Sequence, residues 1–404
     1  MKQPSQNEIG DFINRRAEQV VDAKALRQAL TSGKKLTVKF GVDVTSPDLH
    51  LGHAVNLWML RQLQEWGHKV IFLIGGFTTK IGDPTGRSET RQVISDTDIR
   101  KNAKKYIDQV GRVLRTDKAV FEVKNNDDWF GKMPTSQFLT IIAQVTHSQL
   151  IERDMFQTRI KEGKEIRVHE LIYPIVQGYD SVMLKDNIVM CGTDQLFNEM
   201  MGRFFQERYG QPPQIIVTGR ILVGTDGQKK MSKSFGNHIG IAEDAKTQYG
   251  KIMSIPDSAI YDYFRLATIV DTKILGQINA KLRDKKTNPR DLKMLLAYTI
   301  VSMYHDEAAA ARAQAEFVGI FQNHELPKDL PTTSLSKPIP ILELLAKHKL
   351  AGSNSEARRL IQQGGVKLDN QTITDINFTI MPPKRVGKTN LVLQVGKRRF
   401  LRIK

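Results

Sequence analysis

Leu36-Thr-Val-Lys-Phe-Gly-Val-Asp-Val-Thr-Ser-Pro-Asp-Leu-His-Leu-Gly-His53 is the stretch that decides the fold. Its first five residues read as a strand, and the Gly, Asp and Pro that follow read as a turn region. A helix is expected over residues 52–66. Beyond it, Val70-Ile-Phe-Leu-Ile74 is a nearly continuous apolar run, as in a strand buried on both faces of a parallel sheet. Strand, loop, helix and strand, with ligand-type residues in the loop, predict an α/β domain with a Rossmann-like, doubly wound parallel sheet.

Outward from this core the pattern changes several times. Residues 5–30 look helical, with Ile9, Phe12, Ile13, Val20, Leu26 and Leu30 at roughly helical spacing. Residues 85–170 are mostly helical and charged, with one strand expected at 119–123, and they interrupt the α/β alternation. It resumes at Ile188-Val-Met190 and at 214–217. Residues 241–321 read as all-helical, and 326–340 are rich in Pro, Ser and Thr, as a linker is. The expected organisation is a catalytic domain over 1–225 with a helical insertion at about 85–170, then a helical domain over 226–325. A linker over 326–338 and a small α+β domain over 339–404 complete it.

Composition narrows the function classes. Of 404 residues, 40% are hydrophobic and 25% charged, which suits a globular chain of two or three domains. The apolar runs are too short to span a bilayer, and the first twenty residues hold no apolar signal region, so no membrane role is expected. A single cysteine, Cys191, excludes an internal disulfide and fits a reducing cytoplasm. Residues 337–404 carry 14 Lys or Arg against 4 Asp or Glu, a net +10 of the whole chain's +17. A basic terminal module on a nearly balanced body points to a polyanionic partner, most simply nucleic acid.

Three further stretches carry chemistry with the first. His50 and His53 share a face at a helix start, Gly52 leaves room for a flat ligand, and a helix N-terminus favours phosphate. Two histidines lack the third ligand that a zinc site needs, so no metal site is expected. Lys229-Lys-Met-Ser-Lys-Ser234, after Gly224-Thr-Asp-Gly227, describes a mobile basic loop able to stabilise charge on a leaving pyrophosphate. Tyr173, Gln177 and Asp180 sit at i, i+4 and i+7 on one face of a helix, and need partners in either a polar ligand or an internal network. Finally, Ser353-Asn-Ser-Glu-Ala-Arg-Arg-Leu-Ile361 is a capped helix start leading through a glycine turn into a short strand.

Taken together these stretches resemble the class I aminoacyl-tRNA synthetases. His50-Leu-Gly-His53 is similar to their HIGH motif, and Lys230-Met-Ser-Lys-Ser234 matches their KMSKS motif letter for letter, in the right order. Tyr173-Pro-Ile-Val-Gln177-Gly-Tyr-Asp180 and Cys191-Gly-Thr-Asp-Gln195 resemble the tyrosine pocket of the tyrosyl-tRNA synthetases. That resemblance implies that Asp180 accepts the substrate phenol, while Tyr173, Gln177 and Asp83 hold its α-ammonium, with Thr78 and Gln195 beside them. Asp83 lies in Gly82-Asp-Pro-Thr-Gly86, again as in that family. Gly41, Asp43, Gly52, Gly192, Asp194 and Lys233 match ATP-binding positions, and Thr45, His50, His53, Lys230 and Lys233 the phosphate-handling ones. The C-terminal domain resembles an S-four-type RNA-binding domain, with Arg358, Arg359 and Lys367 facing RNA phosphates.

The resemblance implies L-tyrosine, ATP with Mg2+ and tRNA-Tyr as substrates, no bound prosthetic group, a homodimer with part of the insertion at its interface, and a cytoplasmic setting. Three departures stand out. Lys39 stands where another branch of the family has a tyrosine that also contacts the phenol, so that contact is missing or supplied elsewhere. Val44 replaces a proline, which is expected to loosen the turn, and Cys191 replaces a glycine beside the nucleotide. Two alternatives stay open at this point: a tryptophanyl-type synthetase, and a synthetase-derived RNA-binding factor without catalysis.

Overall fold

The computed structural model describes residues 2–45, 48–84, 95–321, 330–382, 391–396 and 399–404. Residues 85–94, which include Gly86 and the start of the expected insertion, lie outside the described residues, as do linker residues 326–329. The chain divides into two compact units, Met1–Ala310 and Ala311–Lys404.

The first unit is built on a six-stranded sheet of β1 (Ala17–Val21), β2 (Thr37–Val42), β3 (Lys69–Ile74), β4 (Phe121–Asn125), β5 (Ile188–Gly192) and β6 (Ile215–Gly219). Their spatial order is β1-β6-β5-β2-β3-β4, parallel from β6 to β4, with β1 added antiparallel at one edge. β3 and β6 are buried almost throughout, which is why their sequences read as unbroken apolar runs. The winding reverses between β2 and β5, and ligands in such sheets bind where the strand order reverses, beyond the carboxyl ends.

The structure corrects two readings from sequence. The N-terminal segment is not one helical stretch: α1 (Gln6–Arg16) and α2 (Ala23–Thr31) flank β1, so Val20 belongs to a strand. Five residues with a partly exposed pattern carry too little alternation to announce an edge strand. The strand expected at 119–123 is β4, and it pairs in parallel register with β3 as part of the main sheet. The alternation therefore continues through α3 (Leu51–Glu65), α4 (Gly76–Ile81) and α5 (Asp96–Val110) before it is interrupted. The interruption is the run of short helices α6 (Asp127–Phe130), α7 (Thr135–Ile142), α8 (His147–Ile151) and α9 (Asp154–Lys161).

Two long helices follow, α10 (Val168–Leu184) and α11 (Leu196–Arg208), one on each side of β5 in sequence. They pack closely because Gly178 and Gly202 present no side chain: a Cβ at Gly178 would lie 2.8 Å from Met201 Cβ. Four further helices, α12 (Ala245–Met253), α13 (Ile260–Ala267), α14 (Thr272–Arg283) and α15 (Pro289–Tyr304), complete the unit with the start of α16 (Glu307–Phe321). Arg15 and Arg16, at the end of α1, donate to the carbonyls of Phe264, Arg265, Leu266, Thr268 and Val270, satisfying the open C-terminal end of α13. The last carbonyls of a helix lack backbone partners within it, and this clasp ties the end of α13 to α1.

The second unit holds a sheet ordered β10-β9-β12-β13-β7 and a small β11-β8 pair, packed with α17 (Ile341–Lys347) and α18 (Asn354–Gln362). Its strands are β7 (Thr332–Thr333), β8 (Ile339–Pro340), β9 (Val366–Leu368), β10 (Gln371–Ile373), β11 (Thr379–Ile380), β12 (Leu391–Val395) and β13 (Arg399–Ile403). Ile341, Leu344, Leu345, Ile361, Val366 and Leu393 form a dry core. Ser353 caps α18 by accepting from the Glu356 amide at 3.1 Å, as the sequence predicted. Among the described residues, no helix is long and apolar enough to cross a membrane.

Candidate active site

A cavity of about 300 Å³ opens where β2 and β5 part. α10 supplies one wall because its i, i+4, i+7 positions Tyr173, Gln177 and Asp180 all face it. Asp180 is buried at 2% exposure, with Trp129 Nε1 donating to one carboxylate oxygen at 3.0 Å and Asn126 Nδ2 to the other at 3.2 Å. Burial pushes its carboxyl up to about 8, against the pull of Lys39 and of those two hydrogen bonds.

A second group of carboxylates lines the same cavity. Tyr173 Oη donates to Asp43 Oδ2 at 3.0 Å, and Thr78 Oγ1 donates to Asp43 Oδ1 at 2.7 Å. Gln195 Nε2 donates to Asp83 Oδ2 at 2.7 Å. Asn198 Nδ2 ties the set together, donating to Gln177 Oε1 at 2.8 Å and to Gln195 Oε1 at 2.9 Å. Burial, reinforced by Asp43 and Asp83, raises the Tyr173 phenol well above its usual range, so its oxygen stays a neutral hydroxyl. The cavity thus has an acid prepared for one hydroxyl and, apart from it, Asp43, Asp83 and amide oxygens suited to an ammonium.

The two histidines sit at the start of α3. His50 is the N-cap residue, and its ring lies against that of His53, tilted by 32° with centroids 3.8 Å apart. Burial lowers the imidazole of His50 to about 2, helped by His53 and His238, and that of His53 to about 4. Both are neutral at ordinary pH, so they offer hydrogen bonds and not positive charge to a phosphate. Gly52 has a concrete reason to lack a side chain: a Cβ there would lie 3.0 Å from His50 Nδ1 and 3.5 Å from Met231 Cβ.

Met231 belongs to the lysine-rich stretch, and backbone bonds join the segment just after that stretch to the histidine segment. The Leu51 amide donates to Ile239 O at 2.9 Å, and the Ile241 amide to Leu49 O at 3.1 Å. Met231 is buried while Lys230 and Lys233 are exposed, and Lys233 pairs with Asp48. The glycines before this stretch have local jobs that mobility alone does not describe. Gly227 adopts a φ of 68°, and Gly224 leaves space for Asn237, whose Oδ1 accepts from the Ser232 amide at 2.8 Å.

Twelve of the candidate site residues named from sequence line this cavity: Gly41, Asp43, Thr45, His53, Thr78, Asp83, Tyr173, Gln177, Asp180, Gly192, Asp194 and Gln195. His50, Gly52, Lys230 and Lys233 do not line it; His50 and Gly52 lie at the start of α3 beside Met231, and the two lysines on the adjoining loop. Arg358 and Arg359 are exposed on α18 and Lys367 on β9, in the second unit. Sequence reading passed over Asn126, Trp129, Asn198 and Glu199, which contact the pocket residues from the cap of α6, from α6 itself and from α11. Lys39 is fully committed inside the protein, donating to Ser181 Oγ at 2.6 Å and to Glu199 Oε2 at 2.7 Å. Val44 is wholly buried, and its carbonyl accepts from Asn102 Nδ2 at 2.9 Å, which holds the turn that the missing proline was expected to loosen. Cys191 lines the cavity with its thiol pushed well above the usual range by burial.

Comparison with known proteins identifies the family. Residues 31–322 fit the family model of class I tRNA synthetases (W and Y), and residues 322–403 that of the tyrosine–tRNA ligase SYY-like C-terminal domain. The tyrosine–tRNA ligase of Thermotoga maritima is 43% identical over 392 residues, covering 97% of this chain and 96% of that protein. That of Moorella thermoacetica is 45% identical over 387 residues, covering 96% and 92%. Among solved structures, the tyrosyl-tRNA synthetase of Archaeoglobus fulgidus, complexed with L-tyrosine, shares the fold at a TM-score of 0.61. It has 23% identity and covers 76% of this chain and 99% of that one. With 43% and 45% identity to these ligases over nearly the whole chain, and the two family models together spanning residues 31–403, the chain belongs to the tyrosine–tRNA ligases of the class I aminoacyl-tRNA synthetases.

Proposed function

We propose that the chain activates L-tyrosine with ATP, releasing pyrophosphate, and transfers the tyrosyl group to the terminal adenosine of tRNA-Tyr. The observation that carries this reading is Asp180, a buried carboxyl whose two oxygens are fixed by Asn126 and Trp129. A carboxylate so held has a lone pair left for one further donor, and the substrate's phenolic hydroxyl supplies it. Phenylalanine would leave that group buried and unmatched, which makes the pocket selective.

The α-ammonium is received by Gln177 Oε1, the Tyr173 oxygen and Asp83, with Thr78 and Gln195 holding the carboxylates in place. The substrate carboxylate then attacks the α-phosphorus of ATP in line, forming the mixed anhydride as the bond to pyrophosphate breaks. Thr45 and the neutral imidazoles of His50 and His53 hydrogen-bond the phosphates. Lys230 and Lys233 meet the charge growing on pyrophosphate, Lys233 exchanging Asp48 for phosphate as it does so. Mg2+ enters with ATP as part of the substrate. Gly41, Asp43, Gly52, Gly192 and Asp194 shape the nucleotide's seat. A hydroxyl of the terminal adenosine next attacks the tyrosyl carbonyl and releases AMP. No protein nucleophile takes part; positioning and charge stabilisation supply the rate.

In the same reading residues 339–404 grip tRNA through Arg358, Arg359 and Lys367, and the working form is a cytoplasmic homodimer. The deciding experiment is ATP–pyrophosphate exchange with each of the twenty amino acids and no tRNA. Exchange with tyrosine alone is expected. Exchange with tryptophan would overturn the assignment of Asp180, and silence with all twenty would favour an RNA-binding factor without catalysis.

A further inference from the structure

Beneath the amino-acid pocket lies an ion pair that the reaction scheme leaves unused. Lys39 on β2 and Glu199 on α11 are 1% and 3% exposed, 2.7 Å apart, and both border the cavity. A dry salt bridge gains little net stability over apolar residues of similar size, so its presence beside a ligand site calls for another reason. The hydrogen bonds supply one. Glu199 Oε1 accepts from Gln177 Nε2 at 2.8 Å, while Oε2 accepts from Lys39 and from Gln214 Nε2 at 3.0 Å. Gln177 Oε1 in turn accepts from Asn198 Nδ2.

We propose that the Lys39–Glu199 pair is the positioning element of the ammonium end of the pocket, acting through Gln177. A free glutamine amide can turn over, presenting NH2 or oxygen to a ligand at nearly equal cost. With its NH2 held by the Glu199 carboxylate, Gln177 presents its oxygen, the atom that an ammonium needs. Lys39 and Gln214 occupy the other carboxylate oxygen, so Glu199 itself cannot swing round. Burial works against charge on Lys39, but Glu199, Asp186 and Asp180 more than reverse it, so Lys39 keeps its proton and its charge. Lys39, Glu199 and Gln177 come from three different elements, so the pair also sets where β2 and α11 stand relative to α10.

The proposal rests on tyrosine being the occupant of this pocket, and its test separates the two. Lys39→Met/Glu199→Met removes both charges together, which spares the protein an unpaired buried ion. Tyrosine-dependent exchange is inhibited with two analogues: tyramine, which keeps phenol and ammonium, and 3-(4-hydroxyphenyl)propionate, which lacks the ammonium. The expected result is that the double variant binds tyramine about tenfold more weakly, the scale of one charge-assisted hydrogen bond misdirected, and the propionate within about twofold of the parent. The KM for tyrosine rises with tyramine while the KM for ATP stays put. Equal losses for both analogues, or none, would mean a merely structural pair and would overturn the proposal. Should the double variant not fold, the same comparison is made on Glu199→Gln, where a loss of about threefold confined to tyramine is expected and equal losses again overturn it. If the parent protein shows no tyrosine-dependent exchange, the reading of the pocket itself has failed, and the proposal with it.

Discussion

At the scale of single residues, burial determines what each ionisable group at the site can do. Asp180 is held up to about 8, and its ionised form is the stronger acceptor for a phenolic hydroxyl. The KM for tyrosine should therefore fall as pH rises from about 6 to about 8. Asp180→Asn should erase that dependence, lower kcat/KM for tyrosine by about 100-fold and weaken the rejection of phenylalanine. Exchange kinetics with both amino acids across pH check all three; a variant with full preference for tyrosine would remove Asp180 from the pocket's chemistry. His50 makes a separate prediction. Its folded imidazole is lowered to about 2, so between there and the unfolded value the unfolded chain binds a proton that the folded chain refuses. Stability is fully present above the unfolded value and declines as pH falls below it, by up to about 1.4 kcal/mol per pH unit. Urea midpoints at neutral and mildly acid pH should diverge in the parent protein and diverge less in His50→Asn, where His53 keeps its own lowered imidazole.

At the scale of elements, the contact between α10 and α11 matters most, because these helices carry Gln177 and Asp180 on one side and Asn198 and Glu199 on the other. Their approach depends on Gly178, where an added Cβ would lie 2.8 Å from Met201 Cβ and 2.9 Å from its backbone carbonyl carbon. Backbone cannot step aside as a flexible side chain can. Gly178→Ala should cost about 1–3 kcal/mol of stability by overpacking. The same change should raise the KM for tyrosine severalfold by parting Gln177 from its partners, and thermal melting beside exchange kinetics reads both. The strand-loop-helix-strand core is legible in the sequence, because β2, α3 and β3 each carry a clear apolar pattern of their own. β1 is not, since its pairing with β6 comes from a strand some two hundred residues away.

At the scale of the whole molecule, the proposed function assigns amino-acid activation and RNA binding to separate units of the chain. The pocket and both nucleotide motifs lie within Met1–Ala310, and the most basic segment within Ala311–Lys404. Arg358→Glu/Arg359→Glu should leave tyrosine-dependent exchange unchanged, lower affinity for tRNA about tenfold and flatten its dependence on salt, because fewer counterions are released. Filter binding over a range of salt, beside the exchange assay, tests the division; a loss of exchange in that variant would contradict it.

What the sequence determined by itself were the features written in short range: the alternation of strand and helix, the two motifs that carry the family resemblance, the i, i+4, i+7 face of α10 and the capped start of α18. Each is set by a few neighbouring residues and a backbone period, so it survives without knowledge of the fold. The tertiary structure alone decided which donors hold Asp180, where Lys39 spends its charge and that β4 joins the main sheet. Those contacts join residues as far apart as Lys39 and Glu199, and no local period encodes a hydrogen bond between elements that meet only when the sheet closes.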